Sequence, residues 1–283
     1  MERAYRKTKV KSIVSWILAV LLALAALMAA ILPFVFMVLN SFKNKFEILT
    51  NGVFSLPQKL DTANYLEVLS GGFFRYFLNS IFVLAVVLAL ILFIAACAAY
   101  PLARFRFRAN ALIYSLIVAC MAIPIHITLI PVFQMTKTLG LYDTIGALIG
   151  PDVAFALPIS VFILTSFMKS IPKEIEESAE IDGCNKYGMF FKMMLPLAKP
   201  GLSTLAIYNG VNVWNEFSFA YTLTQSPSSR TLPLAVWDFQ GQYAMNTPMI
   251  MAVLTLTVLP MIVLFIFAQD KLVKGMTAGA VKG

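Results

Sequence analysis

A chain of 283 residues with 60% hydrophobic and only 13% charged side chains lies outside the ordinary soluble globular class, in which charged residues make up about 25%. Its 22 Lys and Arg against 14 Asp and Glu give a net charge of +8, but the cations are spread over short connecting segments. That pattern argues against nucleic acid as a partner and for an all-α, polytopic membrane protein surrounded by lipid.

Residues 1–12 carry Arg3, Arg6, Lys7, Lys9 and Lys11 and read as a basic N-terminal segment. The apolar run from Ile13 to Leu39 exceeds the ~7–15-residue core of a secretory signal and predicts a first spanning helix. Further apolar stretches at about 77–100, 110–131, 145–168, 200–223 and 248–268 each approach the ~20 residues that cross a bilayer. The expectation is six spans in one transmembrane domain over 13–270, followed by a short tail, 271–283, that ends in small residues. The fourth span is the weakest, because Pro151, Asp152 and Pro158 interrupt it.

Segment 40–76, with Pro57, Gly71, Gly72 and aromatics, is too long for a simple turn and is expected to dock on something outside the membrane. Segment 224–247, with Trp237, Phe239 and Tyr243, is compatible with an aromatic belt and with partner contact alike. No repeat of fixed period and no low-complexity linker is present. Orientation follows from Lys and Arg alone. One set of segments, comprising the two termini, 104–108 and 169–199, holds sixteen of them, and the opposite set holds six. Both termini and the loop between the fourth and fifth spans are therefore placed in the cytoplasm.

That loop, Ser170 to Pro200, is the longest polar interruption in the chain. It reads as two short helices around one sharp turn. Pro172 suits a first helical position, and Glu174, Glu176, Glu177 and Glu180 crowd the early turns where the helix dipole favours anions. Gly183 permits a left-handed cap, and Asn185 can cap the second helix. Ile175, Ser178, Ala179 and Asp182 share one face of the first helix, and Tyr187, Phe190, Phe191 and Met194 one face of the second. Something apolar is expected to cover that aromatic face.

The catalytic vocabulary is sparse. No phosphate loop, HExxH or GxSxG occurs, and His126 is the single histidine, in an apolar run without a second ligand nearby. Cys97, Cys120 and Cys184 are scattered and fit neither a disulfide framework nor a metal site. The chain is read as a non-enzyme, so uphill movement of a solute would draw energy from an ion gradient or from another subunit. An ion-coupled carrier needs ionisable groups at mid-membrane. Only Asp152 and Glu216 qualify, and Asp152 lies near a predicted span end, as a polar boundary would.

Glu216 belongs to a denser cluster in the fifth span, YNGVNVWNEFSF. Asn209, Asn212 and Glu216 fall at i, i+3 and i+7 on one helical face, with Tyr208, Trp214 and Asn215 beside them. Two readings fit: hydrogen-bonding glue between helices, and a cavity wall that offers amides, a carboxylate and rings to a hydroxyl-rich solute.

In the cytoplasmic loop a Glu-Ala-Ala-like triplet, Glu177-Ser178-Ala179, is followed at fixed spacing by Gly183, Met193, Leu195 and Pro196. This resembles the EAA motif of ABC importer permeases, with Ser178 and Met193 as small departures. Asn79-Ser80, AAYPLARFRF at 98–107, LGLYDT at 139–144, IPKEIEESAEIDG at 171–183 and VWNEF at 213–217 resemble the carbohydrate-importer permeases typified by the maltose permease MalG. The likeness covers nearly the whole chain and is weakest in the first span and the outer loops.

The resemblance implies a permease subunit that binds no cofactor itself, while ATP and Mg are bound by a partner ATPase dimer. It also implies a second, different permease chain and an extracytoplasmic solute-binding protein, with an oligosaccharide as the solute. Such a loop seats in a cleft of the ATPase. Glu177 and Asp182 would then supply polar contacts, Ala179 close approach and Gly183 the turn. Tyr187, Phe190 and Phe191 would pack, ahead of Leu195 and Pro196. The tail at 271–283 either reaches between the ATPases or is free. An ion-coupled carrier using Glu216, and an importer of the same architecture for a non-sugar solute, remain the alternatives.

Overall fold

The structure, a computed structural model, describes residues 2–238 and 246–280, with side chains from Ser15 to Trp237 and from Asn246 to Phe267. Expectations for Phe239, Tyr243, the N-terminal cations and the side chains of the 271–283 tail lie outside the described residues. Secondary structure among the described residues is helical without a strand. By contacts the chain divides into two compact units. One holds the residues up to Gly71 and the stretch ending at Val258; the other holds Gly72–Asp238 and the stretch from Leu259 on.

In the first unit, α1 (Glu2–Ser41) is followed by α2 (Lys45–Asn51) and α3 (Ala63–Val68). The segment after α1 is built around a lysine. Lys43 is fully buried and its Nζ donates to the carbonyls of Gly52 and Val53 and to Ser55 Oγ at 3.2–3.3 Å. A buried ammonium is tolerated only when its three donors find acceptors, which these supply. Asn44 caps α2 by accepting from Glu47 N–H at 2.8 Å, and Asn64 donates to the carbonyls of Ser41 and Lys43 at 2.9 and 2.8 Å. Much of the segment expected to dock elsewhere is thus folded on itself.

The second unit begins with α4 (Phe74–Arg104), α5 (Asn110–Ala119), α6 (Ile125–Thr138) and α7 (Gly146–Ser170). The charge-dense loop then supplies α8 (Glu174–Ile181), the single turn α9 (Lys186–Gly188), a π-helical stretch Met189–Met194 and α10 (Leu195–Leu197). Next come α11 (Lys199–Trp214), α12 (Ser218–Leu223) and α13 (Ala235–Asp238); α14 (Thr247–Ala280), assigned to the first unit up to Val258 and to the second from Leu259, closes the described chain. Val83, Val87, Ile91, Ala95 and Ala99 recur every four residues and form a fully buried stripe on α4. The upper part of this stripe packs with Leu148 and Val153 of α7 and with Phe219 and Leu223 of α12. The alanines pack with Val161, Leu164 and Met168 of α7 and with the loop. Small residues let the two backbones approach, the usual basis of helix packing in lipid.

Three expectations about the spans are corrected. The fourth is unbroken: α7 carries both Pro151 and Pro158 internally, as membrane helices tolerate when neighbours cover the freed backbone groups. The third is sharply bent, by 98° between Asn110–Ala122 and Ile125–Thr138, because Pro124 forces Ile123 out of the helical region (ψ 114°). The fifth is split into α11 and α12, with Asn215, Glu216 and Phe217 outside any helix. Among the described residues, four helices are long and apolar enough to cross a membrane, and the bent pair makes a fifth if it counts as one. The chain is therefore polytopic, and among the described residues two of the six expected spans, the third and the fifth, are interrupted.

Candidate functional site

Two places in the second unit concentrate polar chemistry: the loop after α7 and a cavity beside the break in the fifth span. In the loop, α8 begins at Glu174 rather than at Pro172. Pro172 holds Ile171 extended (ψ 131°), and the Ile171 carbonyl accepts from Arg104 Nη2 at 2.8 Å. Arg104, the last residue of α4, also places Nε 2.5 Å from Glu176 Oε1 on α8, with side-chain exposures of 3% and 18%. A single guanidinium thus fastens both the start of the loop and its first helix.

At the other end of α8, Gly183 adopts φ +80° while Cys184 N–H bonds back to Ala179 O at 2.9 Å, the cap for which glycine is suited. Asn185 accepts from Gly188 N–H at 2.7 Å and starts α9. The exposed pair Lys186–Glu180, at 2.7 Å, spans the turn.

The loop residues divide by direction. Glu177, Asp182, Gly183, Phe191 and Pro196 are exposed, and Tyr187 is 80% exposed. Ala179, at 5%, and Phe190, at 7%, are buried in the unit's own core, with Phe190 against Tyr100 at a centroid distance of 5.3 Å. Leu195 packs half-buried on the same core. The expected common aromatic face is therefore split, and Ala179 and Phe190 are corrected to inward positions. The cause is the π-helical stretch Met189–Met194, whose wider turn takes Phe190 and Met194 off the face that Tyr187 and Phe191 keep. Ile181, 86% exposed, joins the outward set. Its prominence was not evident from spacing, because it falls beside the predicted stripe.

The cavity, of about 430 Å³, lies among α6, α7, α11 and α12 and is lined by Asn209, Asn212, Asn215 and Glu216 together with Tyr208, Asp152, His126, Phe155 and Phe217. The break at 215–217 is held by side chains. Asn215 Nδ2 donates to Val211 O at 2.9 Å and closes α11. The Glu216 carboxylate opens α12, accepting from Phe219 N–H at 2.7 Å and Ala220 N–H at 2.9 Å. Non-helical backbone at membrane depth is tolerated where it lines a cavity.

Asn209 is buried and bridges to Ser160 Oγ on α7 at 2.9 Å, whereas Asn212 satisfies its amide on its own helix, at Tyr208 O, 2.9 Å. Asn209 thus bridges two helices, while Asn212 stands in the cavity wall. Trp214 is not in the wall. It is 3% exposed and meets Phe77 edge-on at 6.0 Å.

Asp152, expected as a boundary residue, is a buried cavity residue within α7; a charge inside an apolar run was the available signal. His126 lines the same cavity, and no cluster of three or more potential metal ligands occurs among the described residues.

A third constellation ties the α6–α7 loop and the start of α4 to segment 224–232. Asp143, at φ +59°, accepts from the N–H groups of Gln225 and Ser226 at 2.7 and 2.8 Å, from Ser229 Oγ at 2.6 Å, and from Ser226 Oγ. Its slight burial would push the carboxyl up, but the Ser226 and Ser229 hydroxyls and the two backbone N–H groups outweigh this and hold it well below the usual carboxylate range. Asn79 donates to the carbonyls of Ser228 and Arg230 at 3.0 and 2.8 Å, and Ser80 Oγ accepts from Leu232 N–H at 2.8 Å. Segment 224–232 is thereby locked onto the start of α4 and the α6–α7 loop.

Apolar helices around a polar cavity, with a charge-dense loop pinned to the end of the central helix, define a membrane transport subunit. Residues 91–278 match the binding-protein-dependent transport system inner membrane component family, and the chain belongs to it. It is a permease subunit and not an enzyme.

Among relatives, it is 52% identical over 89% of its length, and 91% of the other chain, to an open reading frame product of Caldicellulosiruptor sp. (strain Rt8B.4) assigned as an ABC transporter permease protein, ORF2. It is 34% identical over 98% of its length to the arabinooligosaccharides transport system permease protein AraQ of Halalkalibacterium halodurans, which it covers completely (100%). It is 36% identical over 91% of its length, and 90% of the relative, to the sulfoquinovosyl glycerol transport system permease protein SmoH of Agrobacterium fabrum. Among solved structures, a chain of a bacterial ABC transporter that imports the acidic polysaccharide alginate shares the fold. The TM-score is 0.78 at 23% identity over 91% of this chain and 96% of that one.

Proposed function

We propose that this chain is one of two different permease subunits of an ATP-driven importer for an oligosaccharide. An extracytoplasmic binding protein would deliver the sugar, and a cytoplasmic ATPase dimer would hold the ATP and Mg and drive transport through the loop after α7. The observation that carries the solute class is the cavity. Its wall of Asn212, Asn215, Glu216 and Tyr208 with Phe155 and Phe217 mixes planar hydrogen-bonding groups with ring faces, as sugar recognition requires. Its volume falls in the range of small-ligand sites, roughly 300–1,000 Å³.

Relatives named for arabinooligosaccharides, for sulfoquinovosyl glycerol, and for melibiose, raffinose and stachyose point the same way. So does the alginate transporter solved with an alginate pentasaccharide-bound periplasmic protein. A methionine transporter chain shares the fold at a TM-score of 0.58, so the solute is argued from the wall and the relatives, not from the architecture. The ion-coupled alternative is disfavoured, because both oxygens of Glu216 already serve as the cap of α12.

With the termini cytoplasmic, the outward loop residues Glu177, Ile181, Asp182, Gly183, Tyr187, Phe191 and Pro196 would meet the ATPase, and Ala179, Phe190 and Leu195 would hold the loop's shape from inside. The test is to tag the chain in its native membrane, extract it in mild detergent and identify what stays bound, for wild type and Gly183→Asp. A Cβ at Gly183 meets nothing within 4 Å, so within this chain the cost is backbone strain alone, about 1–2 kcal/mol. Expected are an ATPase and a second permease bound to wild type, with the ATPase lost or weakened and uptake impaired in the variant. A chain that purifies alone and follows an ion gradient would refute the importer, and normal uptake by Gly183→Asp would remove the loop from the mechanism.

A further inference from the structure

A second cavity, of about 570 Å³, opens where α4 ends and α5 begins, facing the end of α7. Arg104, Arg106, Arg108, Lys169 and Lys173 line it, and no carboxylate does. Arg104 is engaged by Glu176, and Lys169 lies over the Tyr114 ring at 5.0 Å. Arg106, Arg108 and Lys173 make no ion pair among the described residues. Several like charges around one hollow repel one another unless an anion joins them.

The neighbourhood indicates which anion. Leu112, Ile113 and Leu116 on α5, immediately beyond the hollow, are 62%, 40% and 58% exposed, the surface an apolar helix offers to acyl chains. Phe105 and Phe107, 38% and 40% exposed, flank the cations as aromatic side chains do at a headgroup boundary. A soluble phosphate would use the cations and leave the apolar stripe idle; a phospholipid would use both.

We propose that this hollow is a binding site for the phosphate headgroup of an anionic phospholipid, held by Arg106, Arg108 and Lys173 with its acyl chains along α5. Arginine forks match phosphate oxygens in pairs, and basic hollows between spanning helices suit such headgroups. Because Arg104 stands in the same wall and grips Glu176 of α8, the lipid also borders the anchor of the loop. The assignment is independent of the solute transported.

The test compares the full-length chain with its partners, purified in mild detergent, as wild type, as Arg106→Gln/Arg108→Gln/Lys173→Gln and as the charge-conserving Arg106→Lys/Arg108→Lys/Lys173→Arg. Each is exposed to phosphatidylglycerol or phosphatidylcholine, and retained lipid is counted by native mass spectrometry; thermal unfolding shows that the variants are folded. With roughly fivefold in affinity for each cation beside an anionic headgroup, the Gln variant is expected to lose phosphatidylglycerol affinity by roughly 100-fold. The charge-conserving variant is expected to hold phosphatidylglycerol more tightly than the Gln variant but below wild type, by the loss of the arginine forks, and phosphatidylcholine to be retained by none.

Equal retention of the two lipids by wild type, or unchanged phosphatidylglycerol retention by the Gln variant, would overturn the site. Displacement of phosphatidylglycerol by millimolar inorganic phosphate would overturn the lipid source in favour of a soluble anion. Loss of a partner protein from the Gln variant, with lipid retention intact, would reassign the patch to that partner.

Discussion

The ion pair at the end of α4 allows a quantitative test of how the loop is held. Arg104 Nε and Glu176 Oε1 are 2.5 Å apart, with side chains 3% and 18% exposed. At an effective dielectric near 20, opposite charges ~4 Å apart attract by about 4 kcal/mol, most of which the cost of burying them cancels. Removing one partner is different, because the other stays buried and uncompensated at a cost of roughly 3–5 kcal/mol. Glu176→Gln should therefore be worse than Arg104→Met/Glu176→Leu, in which both charges are gone. The assay is amide hydrogen exchange over residues 174–184 with the chain in nanodiscs. Protection in Glu176→Gln should fall by about a hundred- to a few-thousand-fold, or to that of an open chain if the loop's local stability is smaller. The double variant should exchange more slowly than the single one. Exchange in Glu176→Gln within threefold of wild type, or a double variant equal to the sum of its singles, would show that the pair does not hold the loop.

The lock on segment 224–232 should be pH-dependent. The folded pKa of Asp143 is lowered, so its contribution is fully present above the unfolded value of about 3.9 and is lost as pH falls below that toward the folded value. Exchange at residues 225–231, corrected for intrinsic rate, should be constant from neutral to about pH 4 and accelerate below it in wild type only; Asp143→Asn should be loose throughout, and matching profiles would refute this. The asparagines of the cavity should separate by role. Asn209→Ala, which breaks the bridge to Ser160, should lower the unfolding temperature through a loss of about 0.6–1.7 kcal/mol. Asn212→Ala should leave stability unchanged and raise KM for uptake; the reverse assignment would refute the geometry.

What was legible in the sequence was what short-range chemistry decides. The Gly183 turn and the Asn185 cap follow from residue type at a fixed position, and the convergence of Asn209 and Asn212 on one cavity follows from helical spacing, whereas Glu216 reaches it from the break after α11. The pairing of Arg104 with Glu176 was not legible, because 72 positions separate the partners and both residues had sufficient local explanations, one in topology and the other in the helix dipole. A strict 3.6-residue period misplaces Phe190, because the stretch it belongs to is π-helical. Trp214 neighbours the polar face in sequence but projects from the other side of α11, against Phe77. The motif residues Asn79, Ser80 and Asp143 carried likeness without a reason; the hydrogen bonds that fix segment 224–232 supply one.

These attachments make α4 the element through which the loop and the cavity would communicate. Its 31 residues span about 46 Å at roughly 1.5 Å per residue. One end is tied to the loop by Arg104 and Tyr100, and the other to segment 224–232 by Asn79 and Ser80. Between them Val83, Val87 and Ile91 pack in one cluster with Phe219 and Leu223 of α12, the helix that Glu216 caps at the cavity. A packed helix moves as a body, so a displaced loop should alter the cavity mouth even though no loop residue lines it. The test places Asn212→Cys in a chain whose three native cysteines, Cys97, Cys120 and Cys184, are replaced by serine or alanine, and measures its labelling by a small thiol reagent with and without Glu176→Gln. A several-fold change in labelling rate is expected. Unchanged labelling, in a variant whose loop amides exchange faster, would show that α4 does not carry the signal and would leave the direct covalent route from α10 into α11.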